Sequence, residues 1–348
     1  MRISRLVKSA LAAGLLTGLA TATLAQEQVL NLYSARHYQT DEALYANFTK
    51  ATGIRINRVD TDDAGLIARL KSEGSSSPAD VILLVDAARL WLAETDGLFA
   101  PVKSAVLEQR IPAHLRAKDS GQGSAWFGLS TRARVIVYNK INVKKEDVDT
   151  YEELADPKNK GKVCLRSGSH PYNLSLFGAM YEHMGAERTE TWLKGVVDNM
   201  ARAPKGGDTD QIKAAASGEC QIAVTNSYYL ARMMRSSKPE DRAVVERLGV
   251  VFPNQQSWGT HMNIAGGAMA RHAKNRDNAV KFLEYLSSPE AQIYFANGNN
   301  EWPVVVGVRP ANPALESMGE FKSETIPVSS VGANLPKVQQ LLDKVGFK

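Results

Sequence analysis

Cysteine is nearly absent: Cys164 and Cys220 are the only two in 348 residues, and no CxxC spacing occurs. A metal site built on cysteines is thereby excluded. The chain also lacks the GxSxG, HExxH, GxxxxGKS/T and GxGxxG patterns of hydrolytic nucleophiles, zinc proteases, phosphate loops and dinucleotide folds. His183, His261 and His272 stand at no metal-ligand spacing, so the chain is read as a non-enzyme. After residue 25 no apolar run is long enough for a spanning helix. No basic stripe interleaved with aromatics occurs, and Lys144-Lys145 is followed at once by Glu146-Asp147, a solvated turn. Internal repeats and low-complexity tracts are missing as well.

What is present begins with an export segment. Arg2, Arg5 and Lys8 precede an apolar stretch over 10–20, and Thr23-Leu24-Ala25 offers a small-x-small cleavage site before Gln26. Residues 1–25 are therefore expected to be a signal peptide, and the mature chain to be periplasmic. No cysteine follows the cleavage site, which argues against a lipid anchor. Removing three basic and no acidic residues lowers the formal charge from +5 to +2. So nearly neutral a protein gives no electrostatic case for a nucleic acid partner. In an oxidising compartment the simplest reading of an even cysteine pair is a disulfide, with two buried thiols as the alternative.

The roughly 320 residues that remain exceed what one core usually supports, so two domains are expected. Strand and helix patterns alternate: strands over 30–34, 54–59 and 80–85, helices over 41–52, 64–73 and 87–94. That alternation implies a mostly parallel sheet covered by helices, an α/β fold. Two strands, 126–129 and 135–139, leave the first lobe. A second alternation follows: 163–165, 172–184, 190–199, 208–217 and 222–225. A strand is expected over 262–265, and helices over 277–286, 289–296 and 335–345.

Three strand-like runs lead into loops that carry tyrosine just before or at a helix start: Arg36-His37-Tyr38, Pro171-Tyr172 and Asn226-Ser227-Tyr228-Tyr229. In open α/β sheets ligands bind beyond the carboxyl ends of the strands, where such loops converge. A phenol normally loses its proton only near pH ~10, but a trivalent cation draws that value down. Ferric iron, small, hard and highly charged, gains more from phenolates than a divalent ion does. The candidate metal ligands are His37, Tyr38, Tyr172, Tyr228 and Tyr229; imidazole is the softer donor, which makes His37 the weakest member. Four phenolates bring four negative charges against three positive ones, and Arg132 or Arg232 is the candidate for balancing the surplus. Asn226 and Ser227 are expected to cap the helix that follows. Asp62-Asp63 reads as an N-terminal cap, Tyr33 as core, Tyr45 as packing and His170 as loop structure. Trp258-Gly259-Thr260-His261 either lines the cleft or packs in the core.

These loops resemble those of the periplasmic ferric-iron-binding proteins of bacterial ABC-type uptake systems, the bacterial transferrins. The resemblance extends over the mature chain. It is carried by Tyr33-Ser34-Ala35-Arg36-His37-Tyr38, Thr131-Arg132-Ala133-Arg134-Val135, Leu165-Arg166-Ser167-Gly168, Pro171-Tyr172-Asn173 and Asn226-Ser227-Tyr228-Tyr229, with Asn300-Glu301-Trp302-Pro303-Val304 in support. It implies a two-lobed periplasmic binding protein fold of the class II type, with one Fe(III) in the interlobe cleft. The first lobe, 26–130 and 255–305, would supply His37 and Tyr38; the second, 131–254 and 306–348, would supply Tyr172, Tyr228 and Tyr229. Carbonate or another small anion completes the shell in some members. Trp302 stands where a tyrosine is common. The implied partners are the ferric ion and an inner-membrane ABC permease, and the protein is expected to be a monomer. The alternative is a binding protein of the same fold for an organic solute such as a polyamine or thiamine, whose pocket would want several acidic side chains among aromatics.

Overall fold

The computed structural model describes residues 28–36 and 38–348. The signal-peptide reading and His37 therefore lie outside the described residues. Ten strands follow in chain order: β1 (Val29–Ser34), β2 (Arg55–Asp60), β3 (Val81–Leu84), β4 (Phe99–Ala100), β5 (Phe127–Asn139), β6 (Val163–Cys164), β7 (Ile222–Asn226), β8 (Leu248–Val251), β9 (Met262–Ala270) and β10 (Trp302–Pro303). The path β2-β1-β3-β9-β5-β7-β6 makes one curled, mixed sheet. β1 runs parallel to β2 and β3, and β9 runs antiparallel to β3.

The two lobes share β5. Its first half, through Ala133, pairs with β9, and its second half, from Arg134, pairs with β7 and β8. The sequence pattern suggests two strands here because Ser130-Thr131-Arg132 interrupts the apolar runs. The chain instead continues as one strand of 13 residues, since those polar side chains are buried and find partners inside the protein. A register shift between Gly128 and Ser130 absorbs the change of direction.

Packing follows the two-residue period of strands. In the second lobe Ile136, Val163, Ile222 and Val224 face one core cluster, while Val135, Val137, Cys164 and Ala223 face another. A sheet covered on both faces needs such unbroken apolar strands. The first lobe gathers Leu30, Leu32, Val81, Leu83, Phe127, Ile264 and Phe282 into a single core.

Several helices differ from the sequence pattern. Val328–Val345 starts seven residues before the expected 335 and runs through Pro336. Val328 packs in the first core, whereas Val338 and Leu342 pack in the second, and that burial outweighs the lost backbone bond at proline. Pro239–Glu246 carries no buried residue; only Val244 and Val245, adjacent in sequence, lean on the core, which is too little for a helical period to show.

Cys164 and Cys220 form a disulfide with Cα atoms 5.9 Å apart. It links the end of β6 to the chain entering β7, the two parallel strands that feed the second-lobe tyrosine loops. Replacing both cysteines by alanine is expected to lower stability by about 4 kcal/mol on loop-closure entropy, given the 56-residue separation. Denaturant unfolding measures it; an unchanged midpoint would show that the bridge adds nothing.

Candidate metal centre

Tyr172 occupies the first turn of helix Pro171–Met184. The His170 side chain caps that helix, its Nδ1 accepting from the Tyr172 N–H at 3.2 Å. Tyr228 and Tyr229 open helix Ser227–Met234, their rings stacked at 4.2 Å. The hydroxyls of Tyr172 and Tyr228 lie 3.5 Å apart.

The expected capping by Asn226 and Ser227 does not occur: no side-chain cap bond is made. Asn226 Oδ1 instead accepts from Arg134 Nη1 at 3.3 Å, and Ser227 Oγ accepts from the Ala133 N–H at 3.2 Å. A charged donor makes the stronger bond, so the buried guanidinium takes the Asn226 carbonyl. Arg134 is fully buried. It donates to Asp208 at 2.6 Å and to Asn173 Oδ1 at 2.6 Å. Asp208 also accepts from Arg166 at 3.1 Å and from the Asn226 N–H at 2.7 Å. One ionic cluster thus pins the residue after Tyr172 and the residue two before Tyr228. Burial alone would raise the Asp208 carboxyl, but Arg134 and Arg166 overcome it and hold it below the ordinary range.

From the first lobe Tyr38 approaches edge-on, its ring 6.0 Å from that of Tyr228. Its hydroxyl donates to Glu301 at 3.0 Å. Glu301 is fully buried and accepts further bonds from Ser130 at 2.8 Å, Arg132 at 3.1 Å and Arg36 at 3.3 Å. Arg36 also pairs with buried Asp41 at 2.6 Å. Sequence reasoning gave Glu301 and Arg36 no role, although both lie inside the matching motifs. Their pairing spans 265 positions, which no local pattern reveals.

The two candidate charge balancers sit differently. Arg132 is buried among the phenols, its guanidinium carbon 5.8 Å from the Tyr172 ring and 5.9 Å from the Tyr228 ring. Its Nε and Nη2 have no hydrogen-bond partner. Its charge is already matched, however: Arg36 and Arg132 face Asp41 and Glu301, two against two. Arg232 is exposed, stands 5.2 Å over the Tyr229 ring and donates only to Thr209 Oγ1 at 3.3 Å. Arg232 is the unmatched cation of the two.

Burial pushes the hydroxyls of Tyr38, Tyr172 and Tyr228 above the usual phenol range; Glu301 adds to this at Tyr38 and neighbouring phenols at all three, while Arg132 opposes it. All three are neutral phenols at neutral pH. Among the described residues no group of three His, Cys, Asp or Glu side chains could hold a metal ion, whereas the phenols of Tyr38, Tyr172 and Tyr228 converge. Trp258 stacks on His183 at 4.1 Å and on Tyr151 at 5.5 Å, and His261 meets the buried carboxylate of Glu324. That segment is packing, not cleft lining. Tyr33 is buried, and Tyr45 packs on Phe282. Trp302 packs beside Phe252 and Phe321.

Residues 43–323 match the family of bacterial extracellular solute-binding proteins. The chain belongs to that family. This solute-binding protein is 48% identical over 326 residues to iron uptake protein A1 of Synechocystis sp., covering 94% of this chain and 89% of that one. It superposes with a TM-score of 0.88 on a Trichodesmium FutA (IdiA) solved in complex with iron and citrate ligands, at 50% identity over 92% of this chain and all of that one. A ferric binding protein from Campylobacter jejuni gives a TM-score of 0.85 at 41% identity, over 92% of this chain and all of that one. These relatives are named for iron uptake and ferric binding.

Proposed function

We propose that this solute-binding protein carries ferric iron in the periplasm and hands it to an ABC permease of the inner membrane. The ion is held by the phenolates of Tyr38, Tyr172, Tyr228 and Tyr229, with His37 as a fifth ligand, and carbonate or another small anion completes the shell. The protein acts as a monomer whose first lobe is 26–130 and 255–305 and whose second is 131–254 and 306–348. The observation that carries this reading is the convergence of three buried or half-buried phenols from two lobes around Arg132. Relatives named for iron uptake and ferric binding support the cargo.

Coordination requires phenolate, and burial holds Tyr38, Tyr172 and Tyr228 protonated. Each one that binds must release its proton, so iron affinity falls as pH falls. Binding in weakly buffered solution is expected to release about one proton per coordinated phenol, about four in all. Release of one proton or fewer would remove the tyrosines from the shell.

The lobes are shut in this structure. Ser175, on the Tyr172 helix, donates to first-lobe Asp86 at 3.2 Å, and Arg235 donates to the Asn297 carbonyl at 2.6 Å. One ion can be shared by both lobes only in this state, so it stabilises closure by its differential affinity. Solution scattering should show a more compact iron-loaded protein, and Tyr38→Phe should weaken that compaction. Identical profiles with and without stoichiometric iron would refute closure on the metal.

The organic-solute reading has one observation in its favour. The cleft, about 570 Å³, is lined beside Tyr38, Tyr45 and Tyr172 by Asp41, Glu42, Asp60, Asp62 and Asp63. These carboxylates are already engaged: Asp41 with Arg36, Glu42 and Asp60 with Arg58, Asp62 with the Gly65 N–H and Asp63 with the Val85 N–H. Burial also lifts Asp63 to about 6. Titration of the apo protein with iron and with spermidine separates the two: a visible charge-transfer band with iron supports the carrier, and tight spermidine binding without such a band supports the alternative.

A further inference from the structure

A second cavity, about 630 Å³, opens beside the phenol site and is lined by Thr209, Lys213, Arg232, Arg235, Lys238 and Asp241, with first-lobe Gly298 and Asn300 at its far wall. Its charges are four positive against one negative, a net +3. Among the described residues Lys213, Arg232 and Lys238 form no ion pair, and neither does Asp241. Arg235 is spent on neutral acceptors, the Asn297 carbonyl at 2.6 Å and Asn300 Oδ1 at 2.8 Å. Elsewhere on the same lobe surface cations find carboxylates: Arg202 and Lys205 share Glu219, and Lys158 reaches Asp147, Glu153 and Asp156. Four cations gathered in a concavity repel one another, and that cost is relieved when an anion enters.

We propose that this cavity binds a small polycarboxylate. The volume falls in the range of roughly 300–1,000 Å³ typical of small-molecule sites. Guanidinium forks match carboxylates in geometry, and cations spread around a cavity suit an anion with several separated carboxylates better than a compact phosphate. A tricarboxylate cancels the net charge. The walls come from both lobes, so an occupant favours the closed state and slows release of whatever the cleft holds. The site stands whether or not the phenols take iron.

Tricarballylate, a tricarboxylate without the hydroxyl that helps citrate chelate iron, is the probe. Calorimetry on the mature protein at about 0.15 M salt, where distant surface charges are screened, should show saturable binding of one molecule. A Lys213→Gln/Lys238→Gln double variant should bind it about ten-fold more weakly, as loss of two exposed charge contacts implies, with the visible iron band of the parent retained. Tyr228→Phe should keep tricarballylate binding while diminishing that band. Four results each overturn the proposal: no saturable binding, equal binding by the double variant, loss of tricarballylate binding in Tyr228→Phe, or displacement by inorganic phosphate as effective as by citrate.

Discussion

Tyr228→Phe is expected to diminish and shift the visible phenolate-to-iron charge-transfer band, which the other three phenolates still produce, and to weaken iron binding by more than about 100-fold. Tuning residues around a metal already change affinity by about 10- to 100-fold, and loss of an anionic ligand exceeds that. Tyr228 is the centre of the proposed site: it contacts the Tyr172 hydroxyl, the Tyr38 ring edge and the face of Tyr229. It is 2% exposed, so phenylalanine keeps every ring contact and deletes only the donor oxygen. Thermal unfolding of the apo variant should match the parent, which isolates the metal effect from folding. Tyr229→Phe acts in the same direction. Parental colour and affinity in both variants would show that the ion is bound elsewhere.

The other large effect is on stability. Glu301→Gln is expected to cost about 3–5 kcal/mol at neutral pH, the range for removing one partner of a buried ion pair. Gln keeps the volume but leaves Arg36 and Arg132 with Asp41 as their only carboxylate. Burial by itself would raise the Glu301 carboxyl, but Arg36 and Arg132 reverse this and hold it below the ordinary range. A depressed carboxyl contributes stability above the unfolded value near ~4.3 and loses it as pH falls through the folded value. The gap between parent and variant should therefore hold from pH 7 to about 5 and shrink below about 4. Urea titrations at these values measure it. Equal stability at pH 7 would mean that the cluster is not needed to hold the two arginines.

The parts of this architecture that were legible in the sequence are those set by neighbours in the chain. A short apolar run, a tyrosine loop and a helix start lie within a dozen residues of one another, and the structure brings Tyr38, Tyr172, Tyr228 and Tyr229 together at the ends of such units. Asp62 caps its helix through the Gly65 N–H, as its position before the apolar stripe suggests. What escaped was set by distant partners. Arg134 is one residue among several arginines until Asp208, Asn173 and Asn226 close around it. Ser130 and Arg132 look like a break in β5 because the carboxylate that satisfies them is 169 or more positions away. Asn226 looks like a cap for the same reason: its competing donor is 92 positions distant.

The Arg134–Asp208 cluster and the Cys164–Cys220 bridge act on the same two loops, and this sets an order of events. Three of the four proposed phenolate donors stand on a face that is built before any ion arrives, while Tyr38 must give up its bond to Glu301 to join them. The proposed site therefore predicts stepwise capture: the preassembled trio engages the ion first, and Tyr38 joins once it gives up Glu301. The early step belongs to the second lobe alone, and its rate should be the same with phenylalanine at position 38. Only the late step, and with it the time the ion stays bound, carries the cost of breaking the Tyr38–Glu301 bond.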